Sequence, residues 1–101
     1  MHVAVGQAAK SPPRLVILEY TGDATNPENI TAMVGKGVTF DTGGLNLKPT
    51  GFMETMHLDM HGCSTVLNTI AAASRLGVKK NIGTKPRCLP LLSTVRSPQN
   101  Q

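Results

Sequence analysis

The chain has 101 residues, enough for one domain, and chains of this size bury roughly 60–70% of the surface that the unfolded form exposes. Two Phe, one Tyr and no Trp leave it short of the side chains that bury most area, so its packing has to come from small residues between helix and sheet. The formal charge of +4 divides into −1 over residues 1–77 (five bases, six acids) and +5 over residues 78–101 (five bases, no acid); no aromatics interleave those bases to stack on nucleotides, and nucleic acid is excluded as the expected partner.

Ser11-Pro12-Pro13-Arg14 cannot continue a helix, because proline lacks the N–H and clashes with the preceding turn. Leu15 to Tyr20 is a short apolar run rich in strand formers and predicts a first strand. Turn residues Gly22, Asp23, Asn26 and Pro27 follow. Ile30 to Gly35 predicts a second strand, neighbour to the first in one sheet. Residues 35–51 hold five glycines and Pro49 and predict a loop.

From about Asp59 the period changes. Cys63, Val66, Leu67, Ile70, Ala71 and Ser74 recur three and four apart, which predicts a helix over roughly 59–76 with those residues inward. Thr65, Asn68, Thr69 and Arg75 take the opposite face. Gly77 is a ready C-terminal stop. Beyond Asn81 three prolines and scattered bases give no sustained period, and residues 83–101 are expected to be largely disordered. Cys63 and Cys88 make neither a CxxC nor a zinc-finger spacing. No apolar run approaches the roughly 20 residues of a membrane span, and the start carries no signal-peptide pattern. A cytoplasmic, reduced setting without membrane contact is therefore expected, with the sequon Asn29-Ile30-Thr31 unglycosylated.

The chemistry-bearing stretch runs from Val34 to Pro49. It is not a phosphate loop: a Walker A needs Gly five residues before its Gly-Lys and Ser/Thr directly after, where this chain has Ile30 and Gly37. It is not a dinucleotide loop either, since no helix follows the glycines at the right distance. Lys36, Asp41, Lys48 and Asp59 lie within 24 residues on glycine-rich backbone. Carboxylates are hard oxygen donors suited to Zn, Mn or Mg. A desolvated lysine beside a dication can lose its proton and become a nitrogen ligand. A lysine–aspartate salt bridge in a structural loop is the other reading of the same residues.

This run, Val34-Gly35-Lys36-Gly37-Val38-Thr39-Phe40-Asp41-Thr42-Gly43-Gly44 through Lys48-Pro49, together with Leu58-Asp59-Met60, resembles the signature region of the leucyl aminopeptidase (M17-type) family. The resemblance covers residues 13 to about 81. It implies an α/β fold: a partial zinc-exopeptidase-like catalytic domain over residues 1–82, with a short sheet, a Gly-rich metal loop and one long helix, and a divergent basic tail over 83–101. It implies a metal-dependent aminopeptidase that removes N-terminal residues from peptides, with two divalent ions (Zn or Mn) and homo-oligomeric assembly. Lys36, Asp41 and Asp59 match metal ligands, and Lys48 matches the catalytic lysine that polarises the substrate carbonyl. In such a site two ions about 3.5–4 Å apart share a nucleophile and hold the substrate.

The pattern also breaks. His61 and Cys63 stand where the family has a glycine and a small residue. His57 and His61, four apart, are expected on one helix face, either as a metal pair or as locally satisfied side chains. The family's second motif, NTDAEGR, with a further aspartate, a glutamate and an arginine, does not occur in these 101 residues. The expectation is a truncated, mis-spliced or frame-shifted product with incomplete metal occupancy and little activity alone. The alternative is an inactive remnant that binds metal weakly or joins full-length subunits.

Overall fold

The computed structural model describes Gly6, residues 9–83 and the backbone of Thr94–Val95. Three short strands, β1 (Glu19–Thr21), β2 (Ile30–Ala32) and β4 (Asn81–Gly83), form one sheet in the order β1-β4-β2. β4 runs antiparallel to β1, with Glu19 opposite Gly83, and parallel to β2, with Ile30 opposite Asn81. A second ladder pairs β3 (Gly37–Val38) with β5 (Thr94–Val95) in parallel. One helix, α1 (His61–Leu76), follows a single 3₁₀ turn over Met56–Leu58.

The predicted elements exist, but two strand bounds and one pairing need correction. Leu15, Val16 and Ile17 stay outside the ladder and are 40–52% exposed. β2 stops at Ala32 rather than Gly35. Both strands are cut to the length of their common partner: β4 offers three residues, and a ladder exists only where a neighbour supplies donors and acceptors. β1 and β2 are not neighbours, because β4 lies between them. They form the two edges of the sheet, each with one unpaired side among the described residues. The glycine-rich stretch likewise contains β3 instead of being loop throughout, with Gly37 and Val38 buried.

Helix α1 contacts β1 and β3. It buries Cys63, Ile70 and Ala73, with Val66 and Leu67 half-buried, whereas Ala71 and Ser74, expected inward, are exposed. A three-residue and a two-residue strand cover only a narrow stripe of a helix, so the flanks of the apolar face stay wet. The helix ends as expected on Gly77, whose φ of 62° is left-handed. There Gly77 N–H donates to Ser74 O and Val78 N–H to Ala73 O, the paired bonds of a Schellman motif. The buried apolar core among the described residues is Val38, Cys63, Ile70 and Ala73. The expectation for residues 83–101 falls mostly outside the described residues; of that range Gly83 belongs to β4 and Thr94–Val95 to β5.

A polar staple offsets that small core. Asn81, 3% exposed, is the buried polar side chain among the described residues. Its Oδ1 accepts from Asp23 N–H at 2.9 Å, and its Nδ2 donates to Asp23 O at 3.0 Å and Asn26 O at 2.9 Å. The turn is prepared for this by Asp23, whose carboxylate accepts from Thr25 N–H, Thr25 Oγ1 and Asn26 Nδ2. Those bonds, Thr25 first and Asn26 second, hold the Asp23 carboxyl below the usual carboxylate range. Asn81→Ala removes the partner of three part-buried main-chain groups, and losing such bonds costs about 1 kcal/mol or somewhat more. The urea midpoint is expected to fall accordingly with an unchanged slope; an unmoved midpoint means the staple carries no stability.

Candidate metal centre

The site is set by two backbones that approach more closely than side chains allow. A Cβ on Gly35 would lie 2.3 Å from Gly62 O and 2.7 Å from Cys63 N, and one on Gly62 would lie 3.0 Å from Lys36 N. Across this contact Cys63 N–H donates to Lys36 O at 2.8 Å. The chain leading into β3 is thereby pressed on the first turn of α1, and Lys36 is placed beside Asp59, two residues ahead of that helix. Asp59 is itself held by its N–H, which donates to Met56 O of the 3₁₀ turn at 3.2 Å.

Lys36 Nζ lies 2.8 Å from Asp59 Oδ2 and 3.5 Å from Asp41 Oδ2. The second carboxylate is fixed from behind, since its Oδ1 accepts from Gly43 N–H at 2.8 Å. Gly43 has φ 90°, and a Cβ there would sit 2.3 Å from Asn46 O, so the turn requires glycine. Lys48 N–H donates to Thr42 O at 2.9 Å and closes the loop. That closure brings a second cation within electrostatic range of Asp41.

The electrostatics follow this geometry. The Gly43 N–H holds the Asp41 carboxyl below its ordinary range against the opposing effect of burial, with Lys48 and then Lys36 adding to the shift. Contact with the Asp59 carboxylate raises Lys36 above the usual lysine value, against partial desolvation, and Asp41 adds to it. The Lys36 ammonium is therefore the cation that the two carboxylates share in this structure. Asp59 Oδ2 is buried and has no aligned hydrogen-bond partner, so the 2.8 Å approach of Nζ is an ion pair with poor hydrogen-bond direction. Thr39 Oγ1, in the same loop, is also buried without a partner.

Of the residues singled out in the sequence, Lys36, Asp41 and Asp59 come together, with Lys48 beside Asp41. His57 and His61 do not join them and do not share one helix. His57 belongs to the 3₁₀ turn and its Nδ1 faces Glu54 O at 3.3 Å, while His61 opens α1 with Nδ1 2.6 Å from Leu58 O. Each ring is satisfied by a carbonyl three residues back, and both are exposed. Among the described residues no three His, Cys, Asp or Glu side chains gather as a metal cluster; this site consists of two carboxylates and an amine. Sequence reasoning missed the Gly35–Gly62 contact and the Gly43 N–H. The Asp-x-Gly spacing of Asp41 and Gly43 was the available signal for the second, because aspartate readily bonds the N–H two residues on.

The arrangement defines an α/β domain with a lysine–dicarboxylate loop docked on the start of a helix. The sequence profile of the cytosol aminopeptidase family, catalytic domain, matches residues 1–89, and the chain belongs to that family. It is 45% identical over 80 residues to a probable cytosol aminopeptidase of Nitrosospira multiformis, covering 79% of this chain and 15% of that protein. The counterpart from Desulfovibrio desulfuricans is 51% identical over 73 residues, with 72% and 15% covered. Among solved structures, the leucyl aminopeptidase of Trypanosoma brucei in complex with actinonin superposes with a TM-score of 0.75 at 33% identity, over 95% of this chain and 17% of that one. The bottromycin maturation enzyme BotP in complex with Mn gives 0.72 at 37% identity, over 93% and 18%. The chain thus spans about one sixth of the length of these relatives. No helix among the described residues is long and apolar enough to cross a membrane.

Proposed function

We propose that this chain carries one half of a two-ion aminopeptidase site, with Lys36, Asp41 and Asp59 as ligands of one divalent cation and Lys48 as the catalytic cation. The observation that carries the reading is the convergence of both carboxylates on Lys36 Nζ, at 2.8 and 3.5 Å. The residues fit such an ion. Two hard oxygen donors already face one cationic point, and the buried Asp59 Oδ2 lacks an aligned partner that an ion supplies. With an ion bound, Lys36 would complete the set as a neutral amine, its proton passing to solvent, because desolvation and a nearby dication both disfavour the ammonium. Mn and Zn both suit these ligands, and the Mn in the BotP structure favours trying Mn first.

A cation held there supplies Lewis acidity to a scissile carbonyl and to the water that attacks it. The protein's own contribution is position. Gly43 N–H keeps Asp41 ionised and fixed, the Gly35–Gly62 contact sets Lys36 against Asp59, and Lys48 presents an ammonium where negative charge develops on the carbonyl oxygen. The substrate class is peptides with a free N-terminus, in a cytoplasmic setting, as the names of the relatives indicate for those proteins. The remaining ligands and any second ion come from outside the described residues.

Titration with Mn²⁺, read by loss of the free-ion electron paramagnetic resonance signal, tests the ligand assignment without requiring turnover. Asp41→Asn and Asp59→Asn are each expected to weaken binding by more than the roughly 10–100-fold typical of losing an outer partner. Equal affinity in wild type and both variants returns these residues to the role of a structural salt bridge.

A further inference from the structure

β3 (Gly37–Val38) is the stretch of main chain that joins two of the site's charged groups: Lys36 stands directly before it, and Thr39 and Phe40 lead from it to Asp41. From one side it is held by α1, through contact with the helix and the Cys63 N–H bond to Lys36 O at 2.8 Å. Its ladder partner is neither the three-stranded sheet nor a segment near in sequence. The partner is β5 (Thr94–Val95), which runs parallel to it with Gly37 opposite Thr94 and Val38 opposite Val95. Gly37 and Val38 are buried, and buried main-chain groups need hydrogen-bond partners. Glycine also loses more freedom than any other residue when its backbone is fixed, so Gly37 stays extended only where something holds it.

We propose that β5 is a strap on the metal loop: by pairing with β3 it fixes the main chain from Lys36 to Asp41, and thereby sets how tightly the loop holds a divalent cation. The strap acts through backbone, because a parallel ladder is made of main-chain N–H and C=O groups. Its effect reaches the site through the two residues that follow Lys36, whose Nζ meets Asp41 Oδ2 at 3.5 Å and Asp59 Oδ2 at 2.8 Å. The pairing stands on the register alone, whereas its effect on a cation rests on the metal-site reading given above. The charge of the strap's surroundings would act in the opposite sense. Residues 84–101 carry Lys85, Arg87 and Arg96 and no acid, and bases near a site repel a dication. A substitution that breaks the pairing and leaves every charge in place therefore isolates the strap.

The experiment compares the full chain with the double variant Thr94→Pro/Val95→Pro, in which neither strap residue has an N–H to give to a ladder. Gln99→Pro/Asn100→Pro, with the same two prolines placed beyond the paired residues, is the control. Circular dichroism checks that all three keep the helix. In metal-free protein, the more protected of the Gly37 and Val38 amides is expected to exchange about tenfold faster in Thr94→Pro/Val95→Pro and at the wild-type rate in the control. Mn²⁺ titration is expected to show binding weakened by about tenfold in the same variant alone. Unchanged exchange in Thr94→Pro/Val95→Pro, or an equal change in the control, overturns the strap. Faster exchange with unchanged Mn²⁺ affinity overturns its link to the metal loop. Absence of Mn²⁺ binding in the wild type refutes the metal site itself, and the exchange comparison then decides the strap by itself.

Discussion

Supplied with Mn²⁺ or Zn²⁺ and a leucyl-amide substrate, the purified 101-residue chain is expected to turn over no faster than its Lys48→Ala variant. Two carboxylates converge on the Lys36 ammonium, and among the described residues no three His, Cys, Asp or Glu side chains gather to hold an ion. A single, incompletely held ion keeps some Lewis acidity but loses the symmetric clamp on nucleophile and leaving group that two ions provide. Removing one electrostatic partner of a transition state costs on the order of 10²–10³ in rate. Several are lost together here, and such losses do not add, so the expected deficit is at least about a thousandfold. The leucyl aminopeptidase of Trypanosoma brucei, assayed alongside, sets the scale. Robust turnover that vanishes in Lys48→Ala overturns this prediction and means that a second copy supplies the missing ligands or that they are dispensable.

The second large effect is expected from a single methyl group. Gly35→Ala puts a Cβ within 2.3–2.7 Å of main-chain atoms of Gly62 and Cys63, and backbone cannot swing aside as a side chain does. Over-packing of this kind costs about 1–3 kcal/mol, a large share for a core of Val38, Cys63, Ile70 and Ala73. The strain acts where the chain leading into β3 meets α1, so it also separates Lys36 from Asp59. The variant should therefore melt earlier and bind Mn²⁺ more weakly. Gly62→Ala makes the sharper comparison. Its nearest clash is milder, 3.0 Å to Lys36 N, and alanine recovers about 1 kcal/mol of helix propensity over glycine. Thermal melts that rank the two variants equally, or Gly62→Ala as the worse, refute the docking role of Gly35.

The helix and the meeting of Lys36 with Asp41 and Asp59 were legible because each rests on local rules. The three-and-four spacing from Cys63 to Ile70 and the glycine at 77 specify a helix and its stop without reference to the rest of the chain. The lysine and aspartates sit on a motif whose spacing is distinctive in itself. What the sequence concealed depended on distant partners. Leu15 to Ile17 has strand propensity, yet lies outside the ladder because β4 is only three residues long. Ala71 and Ser74 fit the helical period but stay exposed, with no strand over them among the described residues. Asn81 reads as an ordinary polar residue, and only the turn 55–58 positions earlier shows why it is buried. His57 and His61 do not share the expected helix face, since the 3₁₀ turn that holds His57 ends at Leu58 and the helix opens at His61, and each ring is satisfied locally.

The order of strands in the sheet also has a consequence for synthesis. β4 is the centre of the sheet but the last of its three strands in the chain, so β1 and β2 emerge from the ribosome with no partner to pair with. At about 5–20 residues per second, the interval between the making of Ala32 and of Asn81 is roughly 2–10 s. Throughout that interval two strand-forming segments and the neighbouring Leu15, Val16 and Ile17 are open to other nascent chains. Shortening the wait, by faster codons over 33–80, is then expected to raise the yield of soluble protein without any change of sequence.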